Sequence, residues 1–318
     1  MSIFHLDIEA FMTTVERVKD RGLAARPLVI APAKARATVL AASPDAKALG
    51  IEKEMALDEV RKFHPGICVL PPNYGLYNKA NRYILGLASR FSPIVEPISY
   101  GHVAIDMSGT RRLFGPPEQA AQKLYRDIRE QARLGCTIGI ASNKLVSTIA
   151  AKEIQKGADP LYMVRQGDET RFLAPLRCRA LPEWQDHFVR RLLFELNLRR
   201  IEQVQALPRD LLSFAAGAVG NRLHRHAHGI DSRPVTPPVR TRQLTAEQTL
   251  SPDTNDDTII EAMIHALVER LCFQLRAKDI GTNQATLSIK FSDDIWRSRQ
   301  LIFSHTQQEQ QPHSHVFR

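Results

Sequence analysis

Two carboxylates near the start of the chain have the types and spacing of metal ligands. Asp7 and Glu9 lie within residues 3–12, where apolar and polar residues alternate as in a strand. Because side chains alternate along a strand, both carboxylates are expected on one face, with the apolar residues turned towards a core. Carboxylate oxygens are the ligands that Mg²⁺ prefers. The segment therefore predicts half of a site for two-metal phosphoryl transfer.

A second strand that should complete this site lacks acids at the corresponding place. Residues 96–106 also alternate, and the positions in question are Gly101 and His102. Glycine offers no side-chain ligand, and an imidazole nitrogen suits zinc or copper better than magnesium. Asp7 is therefore expected to hold at most a single magnesium ion at low affinity, and no cofactor is expected to be required.

The two segments resemble the motifs of Y-family (translesion) DNA polymerases. That family opens with an Asp-x-Asp/Glu-x-Phe strand, which Asp7, Glu9 and Phe11 match. It later carries Ser-Ile-Asp-Glu, which aligns with residues 99–102. The resemblance implies a polymerase fold whose catalytic acids are vestigial in the first motif and lost from the second.

The resemblance also implies a set of nucleotide-binding residues: Phe11, Met12, Lys47 and Lys156. Met12 stands where the family places an aromatic residue that rejects ribonucleotides. The family's Tyr-x-x-Arg pair, which holds the triphosphate, aligns with Pro44 and Lys47. Proline supplies neither a hydroxyl nor an amide donor. Lysine carries its charge at a single nitrogen and cannot make the paired hydrogen bonds that an arginine guanidinium makes to a phosphate. Lys156 is matched to a palm lysine that the family aims at the triphosphate.

Composition favours an acidic partner and a reducing compartment. The net charge is +9 and the sequence pI is about 9.6, which favours nucleic acid as a partner, the alternative being a generic basic protein. The four cysteines lie far apart without CxxC spacing, as in buried thiols of a cytosolic protein. No signal peptide or membrane-length apolar run is present, so a cytoplasmic protein without a membrane partner is expected.

The order of predicted elements, read with the resemblance, implies an α+β multidomain fold. It is the Y-family right hand, with a ferredoxin-like palm, small fingers, a helical thumb and a partial little finger. The predicted boundaries are residues 1–10 and 75–165 for the palm, 11–74 for the fingers, 166–232 for the thumb, 233–243 for a linker, and 244–318 for the little finger. The last segment predicts strand, long helix, strand and strand, without the family's second helix and final strand. We therefore expect either an incomplete domain or a truncated chain.

Phosphate contacts are expected in the thumb and linker. Family thumbs carry helix–hairpin–helix turns whose amides hold DNA phosphates without reading bases. The first hairpin, residues 181–185, lacks the usual glycines and has Glu183 where a phosphate would sit, so this contact is expected to be lost or weak. The second hairpin keeps its glycines, and basic residues follow it. The predicted DNA-binding residues are Gly217, Gly220, Arg222, Arg225, Arg240 and Arg242.

Other patterns leave two interpretations open. His224, His226 and His228 have helical metal-ligand spacing, but histidines beside arginines also face solvent or phosphate. The arginines at 190–191 and 199–200 indicate either a DNA contact or a solvated helix face. Residues 139–145 resemble the family's Gly-Ile-Ala-x-Asn-Lys turn, but the same pattern is also found in ordinary turns between a strand and a helix. Residues 300–303 partly resemble a sliding-clamp peptide, although an ordinary strand fits their alternation better.

Within the family, loss of the second pair of acids is similar to the ImuB type, the noncatalytic subunit of a bacterial mutasome. The resemblance implies a UmuC-type domain protein of DNA repair, DNA damage and the SOS response that binds primed duplex DNA through phosphates. Implied partners are the sliding clamp, a recombinase-like protein and a C-family polymerase, and the implied location is the cytoplasmic nucleoid. One alternative is an active translesion polymerase with an atypical metal site, in which Asp7, Glu9 and Asp106 gather metal with help from the phosphates of the substrate. Another is an interaction scaffold that no longer binds DNA.

Overall fold

The chain divides into two compact units. A computed structural model describes residues 2–24, 26–34, 36–154, 159–238, 243–250, 252–291, 293 and 295–307. The units correspond to residues 1–238 and 239–318. Among the described residues, none of the helices has both the length and the apolarity to span a bilayer.

The first unit is built on a five-stranded sheet with the order β5-β6-β1-β7-β8. The strands are β1 (Ile3–Asp7), β5 (Val95–Ser99), β6 (His102–Asp106), β7 (Thr137–Ala141) and β8 (Leu161–Met163). The central strand β1 pairs antiparallel with β6 and β7, while β7 and β8 run parallel. The single strand predicted over residues 96–106 was wrong, because Tyr100 and Gly101 turn the chain between two hairpin strands.

Helices cover both faces of this sheet, so every residue of β1 is buried. One face packs against α4 (Tyr74–Ala88) and α6 (Pro117–Asp127), with Phe4 and Leu6 in the shared core. The other face carries α7 (Lys144–Ile154). As a result the alternate residues of β1, His5 and Asp7, are enclosed although they are polar. A short α5 (Arg111–Phe114) connects β6 to α6.

A small three-stranded sheet with its own core follows β1. Its order is β3-β2-β4, from β2 (Leu28–Ile30), β3 (Ala41–Ala42) and β4 (Cys68–Leu70). The accompanying helices are α1 (Phe11–Lys19), α2 (Pro44–Ala48) and α3 (Leu57–Phe63). Ser43 caps α2, since its Oγ accepts from the Ala46 amide and Pro44 occupies the first turn.

A helical layer with a third core completes the first unit. It contains α8 (Glu169–Leu173), α9 (His187–Glu195), α10 (Ile201–Gln205) and α11 (Arg209–Ala227), with 3-10 turns at Cys178–Ala180 and Pro182–Gln185. Its core is continuous with α7 through Val146 and Ile149. The last element is broken at Ala216 and Gly217, so it is a pair of helices joined by a sharp turn.

The second unit contains a long helix and a two-stranded antiparallel sheet. These are α12 (Asp257–Ala277), β9 (Thr282–Lys290) and β10 (Trp296–Gln307). The strand expected before the helix is absent from the described residues 243–250 and 252–256. On the apolar side of α12, Ile259 is exposed, Leu275 is buried, and the residues between them are half-buried (Met263, Leu267 and Leu271).

Candidate active site and nucleic-acid interface

The Asp7 carboxylate is buried and faces an imidazole instead of a second acid. Asp7 and His102 are cross-strand partners in the register of β1 and β6. Oδ1 of Asp7 lies 3.5 Å from Nδ1 of His102, and the Asp7 side chain is 4% exposed. Burial raises the pKa of Asp7, while the nearby His102 and Lys152 oppose that rise.

A second histidine, which the sequence analysis missed, completes this cluster. His5 Nδ1 lies 3.0 Å from Thr148 Oγ1, whose hydroxyl donates to the Lys144 carbonyl. The Thr148 oxygen therefore accepts the His5 Nδ1 hydrogen. Burial, assisted by His102 and Lys152, lowers the pKa of His5 to about 3. Neutral His5 thus presents Nε2 as an acceptor, 3.5 Å from His102 Nδ1.

Both contacts of His102 in this cluster are made by its Nδ1 atom. With Nδ1 of His102 as the donor, both neighbours, His5 Nε2 and Asp7 Oδ1, act as acceptors. An Nδ1–H group is a donor and cannot ligate a metal ion. The only available signal in the sequence was a polar residue, His5, among the apolar residues of a central strand.

Glu9 lies beyond the end of β1, so the alternation of a strand does not position it, although its charge is close enough to contribute to the raised pKa of Asp7. The strand ends at Asp7, and Glu9 lies in the turn that leads to α1, where Ala10 has φ 49°. The Glu9 side chain is 42% exposed and its Oε1 lies 3.5 Å from Nζ of Lys47. Lys47, predicted to contact nucleotide, is therefore close to the vestigial acid.

Gly101 occupies a place that no side chain can enter without rearrangement. Its φ is +79°, and a Cβ there would lie 2.9 Å from Cβ of Phe11. The Phe11 ring stacks on Tyr100, with centroids 5.8 Å apart. Tyr100 is held in turn by a 2.7 Å hydrogen bond to Asn78. Phe11, one of the predicted nucleotide-binding residues, is buried and serves here to close the turn.

The other predicted residues of this site have different positions. Met12 follows Phe11 on α1 and packs partly buried against the main core. Lys156 lies outside the described residues. Asp106 cannot join Asp7, because it pairs with Ile3 at the far end of the strand. Its Oδ1 accepts the Ser108 amide, which is a structural role.

The residues around Asp7 do not fit a pair of magnesium ions. Octahedral Mg²⁺ needs several oxygen ligands, and the buried centre combines one carboxylate with two imidazoles. Throughout the described ranges, no group of three or more His, Cys, Asp or Glu has metal-binding geometry.

The Gly-Ile-Ala-Ser-Asn-Lys turn connects the sheet to the helical layer. Asn143 Oδ1 accepts the Val146 amide, and its Nδ2 donates to the Gly229 carbonyl at 2.8 Å. Lys144 Nζ lies 2.8 Å from an oxygen of Glu96. That same oxygen accepts the amide of Thr236 at 2.7 Å. This lysine is therefore used to hold the segment that leaves the first unit.

Glu183 does not occupy an open phosphate position but is folded into the helical core. It is 4% exposed. Its Oε1 lies 2.8 Å from His226 Nδ1 and 3.0 Å from Arg222 Nε. Burial alone raises the pKa of Glu183, but the contacts with His226 and Arg222 outweigh it, and the pKa is lowered. Arg222, a predicted DNA contact, is therefore ion-paired, although it stays half exposed.

The second hairpin has the geometry of a tight helix–helix turn. Gly217 has φ +56° in the break of α11. A Cβ on Gly220 would lie 1.9 Å from the Leu212 carbonyl oxygen, so the two helix segments cross closely there. Arg225 lies further along and donates to Ser232 Oγ at 3.2 Å. Arg240 and Arg242 lie outside the described residues.

The three histidines of α11 do not converge. The rings of His224 and His228 lie 4.4 Å apart, and His228 Nδ1 donates to the His224 carbonyl. His226 turns the other way, to Glu183. The ring positions therefore favour the interpretation of these histidines as structural and surface groups.

A central sheet with helices on both faces, a small sheet, a helical layer and a separate C-terminal unit define a multidomain right-hand polymerase architecture. Residues 6–152 match the impB/mucB/samB family, and residues 241–315 match the C-terminal domain of that family. The chain belongs to this family of Y-family, translesion DNA polymerases.

Curated relatives agree over nearly the whole chain. A DNA polymerase IV of Caulobacter vibrioides is 31% identical over 294 residues, covering 92% of this chain and 72% of that protein. A DNA polymerase IV of Desulfatibacillum aliphaticivorans is 30% identical over 303 residues, with 94% and 75% coverage.

Solved structures confirm the predicted fold class. A Y-family DNA polymerase chimera of Dbh and Dpo4 has a TM-score of 0.76 and 20% identity, covering 96% of this chain and 89% of that chain. An insertion ternary complex of Dbh DNA polymerase has a TM-score of 0.70 and 21% identity at the same coverages.

Proposed function

We propose that this Y-family member is a catalytically silent, DNA-binding accessory subunit of translesion synthesis, of the ImuB type. The observation that carries the proposal is the pairing of buried Asp7 with His102. Two-metal phosphoryl transfer requires carboxylates from both strands to hold the attacking and leaving oxygens in line. Here one strand offers an imidazole donor, and Gly101 has no room for an acid.

The DNA-binding part of the proposal is supported by charge and by the second hairpin. The chain carries a net charge of +9, and the turn at Gly217 leaves helix-terminal amides of the kind that hold phosphate. A similar solved structure is named an insertion ternary complex of Dbh DNA polymerase. We propose primed duplex DNA as the ligand, held by its phosphates, with Arg225, Arg240 and Arg242 as contacts.

We also propose for this chain a place in the SOS response and a cytoplasmic, nucleoid-associated location, as the ImuB assignment implies. The proposed partners are the sliding clamp, a recombinase-like protein and a C-family polymerase. Magnesium is expected to bind weakly at Asp7 at most. An active polymerase is the second candidate, and the names of the relatives, DNA polymerase IV, favour it.

Primer extension separates the two candidates. We expect no incorporation above background with Mg²⁺ or Mn²⁺, because the metal pair has no second carboxylate. A related DNA polymerase IV run in parallel shows that the substrates and buffers are competent. Incorporation by this chain that disappears in Asp7→Ala would establish the active polymerase instead.

Gel shift on primed DNA over a salt series tests the DNA-binding part. We expect the logarithm of the affinity to fall with the logarithm of salt concentration, by about 0.9 for each phosphate contacted. Arg225→Ala should weaken binding and reduce this slope by about 1. If binding is absent, or if it does not respond to salt, the result would favour the alternative, an interaction scaffold that no longer binds DNA.

A further inference from the structure

A groove on the helical layer is lined by aromatic and basic side chains. Its walls are Trp184, His187, Arg190, Arg191 and Phe194, and its volume is about 350 Å³. It lies beside the first hairpin, on the outer surface of α9. None of the contacts at Asp7 or at the second hairpin involves these five residues.

The sequence of α9 places these side chains on one face. His187, Arg190, Arg191 and Phe194 recur at intervals of three and four residues, which is one face of an α-helix. The opposite face supplies the core through Val189 and Leu193, which are buried. The four groove residues of α9 therefore lie outside the core that holds the helix in place.

Phe194 is 83% exposed, although a large aromatic side chain is normally buried. Trp184 forms the other aromatic wall, from the 3-10 turn Pro182–Gln185. Trp184 is partly buried and packs against the core of the helical layer, so its indole is held in place beside the groove.

The charges of the groove favour an anion. Arg191 is ion-paired with Glu195 at 2.7 Å. Among the described groove residues, this leaves the guanidinium of Arg190 as an uncompensated positive charge. The nearby Asp186 carboxylate is used as the cap of α9, accepting the Phe188 and Val189 amides. A ligand that carries negative charges and flat apolar rings would complement both the positive charge of Arg190 and the aromatic side chains of this groove.

We propose that this groove binds single-stranded nucleic acid, with a base against Trp184 and Phe194 and the adjoining phosphates at Arg190 and Arg191. Stacked aromatic platforms beside positive charges are the usual means of holding unpaired strands. Duplex DNA fits less well, because its bases are paired and cannot stack on an exposed ring. The proposal does not depend on phosphate binding at Gly217, so either site can fail without the other.

Tryptophan fluorescence gives a direct test, because the chain has only two tryptophans. Trp296 lies in the second unit and is 65% exposed. Trp296→Phe therefore leaves Trp184 as the single reporter in the full chain. Oligo(dT) is expected to quench this fluorescence saturably, since a base must stack on the indole. Retained affinity for primed duplex, measured by gel shift, reports the proposed function separately.

Substitutions then show which side chains of the groove contribute to oligo(dT) binding. Stacking on an aromatic side chain is worth about 1–3 kcal/mol per base, so Phe194→Ala should weaken oligo(dT) binding about 5- to 150-fold. Replacing Arg190 and Arg191 by alanine should lower the salt slope by up to about 1.4. The matched control is Phe63→Ala, an exposed phenylalanine of α3 that lies beside Lys62. It should bind as the parent does.

Three outcomes would overturn the proposal. Oligo(dT) binding without a change in Trp184 fluorescence would place the strand elsewhere. Equal losses in Phe194→Ala and Phe63→Ala would show a nonspecific effect. Quenching by a Glu-rich peptide, with none by oligo(dT), would assign the groove to an acidic protein segment instead.

Discussion

His102 Nδ1 lies 3.5 Å from Asp7 Oδ1, and the two residues are direct cross-strand neighbours of β6 and β1. The sheet register therefore brings an imidazole donor to the only buried carboxylate that the described part of this centre contains. Hydrogen bonding through Thr148 and His5 orients that donor. The polar side chains of this site interact with one another, so the site is not an open cavity that could take up metal ions.

Replacing His102 by glutamate tests this relationship. Two carboxylates would then face each other in a buried place, so His102→Glu should lose about 1–3 kcal/mol of unfolding free energy. Mg²⁺ should restore part of that loss, since an ion that binds only the folded state stabilises it. Urea denaturation with and without Mg²⁺ measures both effects. His102→Gln serves as the control, and a magnesium response there or in the parent chain would contradict our interpretation.

Gly101 should tolerate no side chain, in contrast to a glycine in an unrestricted turn. Gly101→Ala combines a left-handed backbone with a 2.9 Å contact to Phe11, and should cost about 1–3 kcal/mol of stability. Gly66→Ala is the matched control, because nothing lies within 4 Å of its added Cβ. Thermal unfolding of both variants provides the comparison. Equal melting temperatures would show that the turn can relax and that an acid at Gly101 is sterically possible.

The sequence could predict the fold but only part of the site. The alternating pattern correctly predicted that Phe4 and Leu6 lie in the core, because the alternation of side chains along a strand is a local property of the sequence. It failed at Glu9, because the strand ends at Asp7 and the chain then turns into α1. The inward position of Glu183 depends on His226, which is 43 positions away in the chain, and no local pattern contains that contact.

Asn143 should stabilise the junction between the sheet and the helical layer more than a simple cap would. Loss of its cap costs about 1 kcal/mol, and loss of the 2.8 Å bond to the Gly229 carbonyl leaves a partly buried acceptor unpaired. Asn143→Ala should therefore lose about 2 kcal/mol in urea denaturation. The control Asn73→Ala removes only a helix cap, the bond to the Leu76 amide. If both variants lose the same amount, the bond to Gly229 contributes nothing.

Glu183 should stabilise the helical layer in a pH-dependent way. Its pKa in the folded chain is lowered, against the opposing effect of burial, by His226 and Arg222. A carboxyl of this kind stabilises the fold above its ordinary pKa near 4.5, and the contribution is lost as the pH falls through the lower folded value. At pH 7, Glu183→Gln should cost about 2 kcal/mol, less than a fully buried pair because Arg222 is half exposed.

The test compares the unfolding free energies of the parent chain and Glu183→Gln from pH 7 down to pH 3. The difference should be constant to about pH 5 and shrink below it, since the parent then protonates its own carboxyl. Glu195→Gln, which breaks the exposed pair with Arg191, should match the parent at every pH. A Glu183→Gln difference that persists unchanged at pH 3 would mean that shape, rather than charge, holds this side chain in the core.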